Sequence, residues 1–223
     1  TDWSFDMAPL KVAILISGRG SNMAALIEAM QEPDFPAEVA LVISNRPKAA
    51  GLEFARAANI PTQVLQHRDY DSREAFDAAM TEVLAAAGVR LICLAGFMRL
   101  LSAEFCQRWH DRVINIHPSL LPAFKGLHVH ERMLEAGVRI AGCTVHFVRP
   151  AMDEGPILVQ AAVPIAAADT ADSLSARILE QEHRIYPLAV RLIAEGRARA
   201  AGGAVTLENF ELPEQRLINP PPR

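Results

Sequence analysis

Cysteine is scarce in this chain: Cys93, Cys106 and Cys143 are the only three in 223 residues. Their odd number and wide spacing exclude a disulfide framework and a zinc pattern, and they read as small core residues. A basic excess is missing too. Lys plus Arg number 22 against 26 Asp plus Glu, a net charge of −4, which argues against a nucleic-acid footprint. No apolar stretch is long enough to span a bilayer. Residues 1–9 are acidic and lack the apolar core of a signal peptide. Together these absences point to a reducing cytoplasm, with neither nucleic acid nor membrane as partner. Small or anionic substrates stay open, because local basic residues decide that.

What is present is a core. Half of the residues (51%) are hydrophobic, enough for one large domain. Lys11 to Ser17 is a short apolar run that ends in Gly18-Arg19-Gly20-Ser21-Asn22, and a helical pattern starts at Met23. That order is strand, glycine-rich turn, helix. Further buried strands are expected at 39–43, 62–65, 89–95 and 113–116, with helices up to about 59, over 71–87 and over 102–109. The alternation predicts an α/β domain with a largely parallel sheet, which places ligands at the carboxyl ends of its strands. The polar strand ends after Ser17, Ala95 and Ile114 should therefore converge. Beyond residue 138 the pattern changes to two strands, 139–148 and 157–165, of half-exposed or antiparallel type. A long helix over 172–196 follows. Residues 1–200 are expected to form a single domain, and 201–223 a tail that is disordered at its end.

Four stretches carry candidate chemistry. Gly18 to Asn22 reads either as a phosphate cradle, with Ser21 and Asn22 adding donors, or as a plain strand-to-helix turn. It lacks the third glycine of a dinucleotide fingerprint and the Gly-Lys-Ser/Thr of a Walker motif. Leu94-Ala95-Gly96-Phe97-Met98-Arg99-Leu100-Leu101 is an apolar loop around one charge. Such a wall suits a flat heterocycle, or it is a packed corner with Arg99 snorkelling. Asn115-Ile116-His117-Pro118-Ser119-Leu120-Leu121-Pro122 runs out of a buried strand. Residues two apart on a strand share a face, so Asn115 and His117 sit side by side. His suits proton traffic near neutral pH and Asn suits a developing oxyanion. The plainer alternative is a turn-stabilising Asn and a His that satisfies a backbone group. The bond before Pro122 is open between cis and trans.

Asp153, in Met152-Asp153-Glu154-Gly155-Pro156, is either a charge partner for His117 or an Asx-type turn residue. Glu182, on the long helix, reaches an amino group or ribose hydroxyls, or else belongs to a solvated helix face. Arg73, at a helix start, meets an anion or is solvated. His128, His130 and His146 lack metal-ligand spacing, and no metal site is expected.

Taken together these pieces resemble the glycinamide ribonucleotide formyltransferases of purine synthesis. The matching runs are Ile16 to Asn22, Ser44-Asn45, Asp71 to Glu74, Leu94 to Arg99, Asn115 to Pro122, Gly142 to Val148, Met152 to Pro156 and Gln181 to Pro187. They occur in the family's order over roughly residues 11–200. The resemblance implies a Rossmann-like α/β domain with an antiparallel C-terminal strand addition. It implies transfer of a formyl group from 10-formyltetrahydrofolate to the amine of glycinamide ribonucleotide through a tetrahedral intermediate, with no metal. The family's catalytic trio maps to Asn115, His117 and Asp153. Its ribonucleotide contacts map to Gly20, Ser21, Asn22 and Glu182. Its folate site maps to Arg73, Met98, Arg99, Leu100, Leu101 and Asn115. Assembly is left between monomer and homodimer. Residues 1–9 precede the family's usual start, and the acidic, proline-ending tail carries no assignable motif.

Four rivals remain. A formyltetrahydrofolate deformylase shares the Asn-x-His-Pro core but passes the formyl group to water; its usual N-terminal regulatory domain is not expected here. A methionyl-tRNA formyltransferase carries a C-terminal RNA-binding domain, which this acidic chain is not expected to have. A non-catalytic nucleotide-binding module leaves Asn115, His117 and Asp153 without purpose. A dinucleotide-dependent oxidoreductase lacks its fingerprint. Convergence of the three side chains on one cleft separates the enzyme readings from the binding module.

Overall fold

The apolar run after Leu10 forms a strand whose alternate side chains are buried on both faces. The computed structural model describes residues 8–209, 211 and 217–219. In it β1 is Leu10–Ile16, α1 Ser21–Met30, β2 Ala37–Ser44, α2 Gly51–Ala57, β3 Thr62–Val64 and α3 Arg73–Ala86. Then come β4 Leu91–Leu94, α4 Ala103–Arg108, β5 Val113–His117, α5 Val129–Glu135, β6 Ile140–Phe147 and β7 Ile157–Pro164. The 24-residue α6, Ala171–Ala194, is followed by β8 Ala198–Ala201 and β9 Ala204–Leu207.

Seven strands make one sheet in the order β3-β2-β1-β4-β5-β6-β7. The pairs from β3 to β5 are parallel, and the pairs β5–β6 and β6–β7 are antiparallel. The expected parallel sheet with an antiparallel addition is therefore the observed fold. Val12, Ile14 and Ile16 of β1 pack into one apolar layer with Leu26 of α1, Met133 of α5 and Ile178 of α6. Ala13 and Leu15 face a second layer with Phe76 and Met80 of α3 and Phe105 of α4. Helices thus cover both faces, as buried parallel strands require. Val113 belongs to the second layer, so Asn115 and His117, two and four residues on, extend that face past α4.

Helix ends follow their side chains. Ser72 and Ser102 accept from the backbone N–H of Ala75 and Phe105 and start α3 and α4, while Thr170 and Ser173 form a reciprocal cap on α6. The buried hydroxyl of Tyr186, on α6, lies 3.0 Å from the carbonyl of Leu94 and 3.2 Å from that of Ile114. It fixes the long helix to the two strands whose ends carry the candidate wall and the Asn-x-His pair.

Two elements depart from the sequence reading. Helix α5 occupies residues left unassigned between strand and strand. Strands β8 and β9 pair antiparallel across Gly202 and Gly203, both at positive φ, so the glycine pair expected to open a tail is a hairpin turn. The tail end expected to be disordered lies largely outside the described residues. Among the described residues no helix is long and apolar enough to cross a membrane.

Candidate active site

Strand β5 delivers Asn115 and His117 to a cavity of about 550 Å³. Its wall includes Met98, Arg99, Leu100 and Leu101 from the loop after β4, and Met152 and Asp153 from the loop between β6 and β7. The ends of β4 and β5 therefore converge as expected, and Asp153 joins them. The wall leaves large apolar side chains open: Met98 is 59% exposed, Leu100 59%, Leu127 69% and Met152 53%. Apolar groups held open around a concave surface are binding surface rather than failed core.

His117 is buried, with its two ring nitrogens facing oxygens. Nδ1 lies 3.5 Å from Oδ1 of Asp153, and Nε2 lies 3.0 Å from the carbonyl of Phe124. An imidazole carrying both protons would have a donor for each. A substrate oxygen that reaches this ring must take the place of one of the two. Asp153 holds a left-handed backbone (φ 52°) and its Oδ2 accepts the Gly126 N–H at 2.7 Å. Two loops are thereby clasped over the histidine. Gly155 supports the turn: it sits at φ 125°, and a Cβ there would collide with the carbonyl of Phe147.

Asn115 is oriented by a neighbour whose role the sequence did not reveal. It pairs across the sheet with His146 of β6, and its Nδ2 lies 3.3 Å from Nε2 of His146. Nδ1 of His146 donates to the Phe147 carbonyl at 3.1 Å, which leaves Nε2 as the acceptor. Burial lowers the pKa of His146, which favours its neutral form. The amide nitrogen of Asn115 is thus aimed, with its second N–H spare.

The run after His117 is braced from below. Thr144 Oγ1 donates to the Ser119 carbonyl at 2.7 Å and accepts from Leu121 N at 3.0 Å and from Gln160 Nε2 at 2.9 Å. The Leu121–Pro122 bond is cis.

A second polar locus lies at the end of β1, outside that cavity. Gly20, at φ 78°, turns the chain into α1, whose first residues are Ser21 and Asn22. Asn22 Nδ2 donates to Glu182 Oε2 at 2.7 Å, and Asn22 Oδ1 is buried without a partner. Glu182 is buried, which pushes its pKa up, while the Asn22 bond opposes that rise. The same burial, with Glu182 nearby, pushes the Cys143 thiol up to about 12, so it is inert. The turn and the helix carboxylate, 160 residues apart in sequence, do meet.

Arg73 does not line the cavity. It stands exposed in the first turn of α3, within electrostatic reach of Asp77, as Arg99 is. His128 caps α5 at its start with a left-handed backbone, and His130 lines the cavity with a buried Nε2 that has no partner.

The chain is similar to known proteins. The formyl transferase family model matches residues 10–190. The trifunctional purine biosynthetic protein adenosine-3 of Gallus gallus is 51% identical over 187 residues, 84% of this chain and 19% of that protein. The chain thus spans about a fifth of the length of that relative. Phosphoribosylglycinamide formyltransferase of Escherichia coli K12 is 42% identical over 206 residues, 92% of this chain and 97% of that one. The crystal structure of glycinamide ribonucleotide transformylase 1 from Symbiobacterium toebii has a TM-score of 0.88 at 48% identity, covering 93% of this chain and 98% of its own. The family model matches most of the sequence, and the chain belongs to the formyl transferase family.

Proposed function

We propose that this protein transfers the formyl group of 10-formyltetrahydrofolate to the amine of glycinamide ribonucleotide, a step of purine synthesis. The observation that carries the reading is the meeting of Asn115, His117 and Asp153 at one cavity with an apolar wall. The wall fits a flat heterocycle, because Met98, Leu100 and Met152 stay open to it and Arg99 adds a cation for a carboxylate.

Bound there, the folate supplies an activated formyl carbon. Asn115 directs its spare amide N–H, and His117 a ring N–H, at the oxygen on which negative charge gathers as the amine attacks. Asp153 accepts from the charged imidazole and takes part in moving the proton from the attacking amine to the departing folate nitrogen. The turn Gly20 to Asn22 receives the ribonucleotide phosphate on the N-terminal amides of α1. Glu182 receives a donor of the same substrate. Holding both molecules in line supplies much of the remaining acceleration.

The second polar locus supports an acceptor larger than water. A formyl-transfer assay that offers glycinamide ribonucleotide, with water as the control acceptor, tests the reading. Formylated ribonucleotide should accumulate in step with released tetrahydrofolate, and folate turnover without ribonucleotide should be negligible. Equal turnover with water alone would make the protein a hydrolase and refute the proposal.

A further inference from the structure

We propose that Ser17 is a positioning residue that sets the folate wall in place against the ribonucleotide turn. It follows β1 directly and sits where strand order reverses, with β2 on one side of β1 and β4 on the other. Ser17 is 4% exposed and Asn45, beyond β2, is 3%. Ser17 Oγ donates to Asn45 Oδ1 at 2.6 Å and accepts the N–H of Met98 at 2.8 Å. One hydroxyl therefore joins the loops that leave β1, β2 and β4.

The bond to Met98 matters because the loop has little other polar anchoring. Among the described residues, it is the one hydrogen bond from Gly96–Leu101 to any other element; Arg99 N–H turns back to Phe97 of the same loop. The next anchors are Ala95 N–H on the Leu15 carbonyl before it and Ser102 N–H on Asp77 after it. Phe97 and Leu101 are buried in the second apolar layer, but Met98 and Leu100 between them are exposed to the cavity, so packing does not fix the middle of the loop. The acceptor on Ser17 does. Asn45 takes the serine proton and so leaves a lone pair directed at Met98. Gly18 to Asn22 start at the next residue, which places both proposed substrate sites on one fulcrum.

The inference rests on reading 96–101 as the folate wall, and its test separates the two claims. In Ser17→Ala the KM for 10-formyltetrahydrofolate should rise roughly tenfold, the scale of one lost hydrogen bond to a buried group. The KM for glycinamide ribonucleotide should stay within about twofold, and kcat per active site within about threefold. Amide exchange over 96–101 should quicken in the unliganded variant. Asn45→Ala, which removes only the orienting acceptor, should raise the same KM by less. If the wild type transfers formyl but Ser17→Ala leaves the folate KM unchanged, or moves both KM values equally, Ser17 is merely structural. If the wild type transfers no formyl, the function reading fails, and the exchange rate alone decides: quickened exchange supports the tether and unchanged exchange overturns it.

Discussion

Two carboxylates at the two loci of this site are held in opposite ways. Asp153 stands on a loop, accepts a backbone N–H from Gly126 and faces an imidazole nitrogen. Glu182 stands on α6, buried against the sheet, and accepts one neutral amide from Asn22. The reaction centre therefore brings a carboxylate together with a group able to carry positive charge. The other locus gives its carboxylate one neutral donor, beside an Asn22 oxygen that has no partner. Polar capacity left over in a buried site is capacity for a ligand's donors, and it costs the empty protein stability. One locus is arranged to move protons and the other to bind.

The strongest way to break that division is to remove the pair at the reaction centre. His117→Ala and Asp153→Asn should each lower kcat by about 10²- to 10⁴-fold, the range of a positioned acid–base group. Both should keep the fold, since Asn at 153 still accepts the Gly126 N–H. Steady-state rates beside a thermal melt check this. Full activity in either variant would place the proton transfer elsewhere and leave the two loci alike.

The same contrast shows what was legible in the sequence. Asn115 and His117 were readable because period two on a strand fixes their shared face, and the apolar run before them marks the strand. The parallel sheet was readable from β1, β4 and β5 for the same reason: short apolar runs that end in polar or glycine residues. The pairing of Asp153 with His117 was not. It depends on a left-handed residue and on a clasp to Gly126, 27 residues away, and a loop has no period. His146 alternates plainly within β6, yet its partner Asn115 follows only from the register between β5 and β6. The β8–β9 hairpin was hidden because Gly202-Gly203 has the same composition as a linker, and only pairing of the flanks tells them apart.

A smaller effect should appear at the binding locus, with a defined pH sign. Burial raises the folded pKa of Glu182 above its ordinary 4.5. Its contribution to stability is therefore fully present below that value and is lost as pH rises through the folded pKa. Glu182→Gln keeps an acceptor for Asn22 and removes the charge. The empty variant should melt higher than the wild type near neutral pH, and the gap should close on acidification. The same change should raise the KM for glycinamide ribonucleotide and spare that for the folate. A variant that melts lower than wild type near neutral pH would mean that the carboxylate is already well satisfied, and the contrast with Asp153 would fall.

The smallest effect belongs to a third carboxylate, which sharpens the comparison from the other side. Asp169 lies just before α6, the helix that carries Glu182. Both its oxygens accept from Arg177, at 2.7 and 2.9 Å, and it also accepts from Ala166 N–H at 2.7 Å and Ser173 Oγ at 2.8 Å. Those donors, Arg177 first, hold its pKa well below the ordinary 3.8. The sign is the reverse of that for Glu182: the stability is present above the unfolded pKa and is lost as pH falls through the folded one. Arg177 is partly exposed to solvent, which screens the pair, so Asp169→Asn should cost only about 1 kcal/mol near neutral pH. Urea melts at neutral pH and below 3.8 should show that difference shrinking with acid, while both KM values stay put. A cost that persists unchanged in acid would assign the role of Asp169 to neutral capping of α6 rather than to charge.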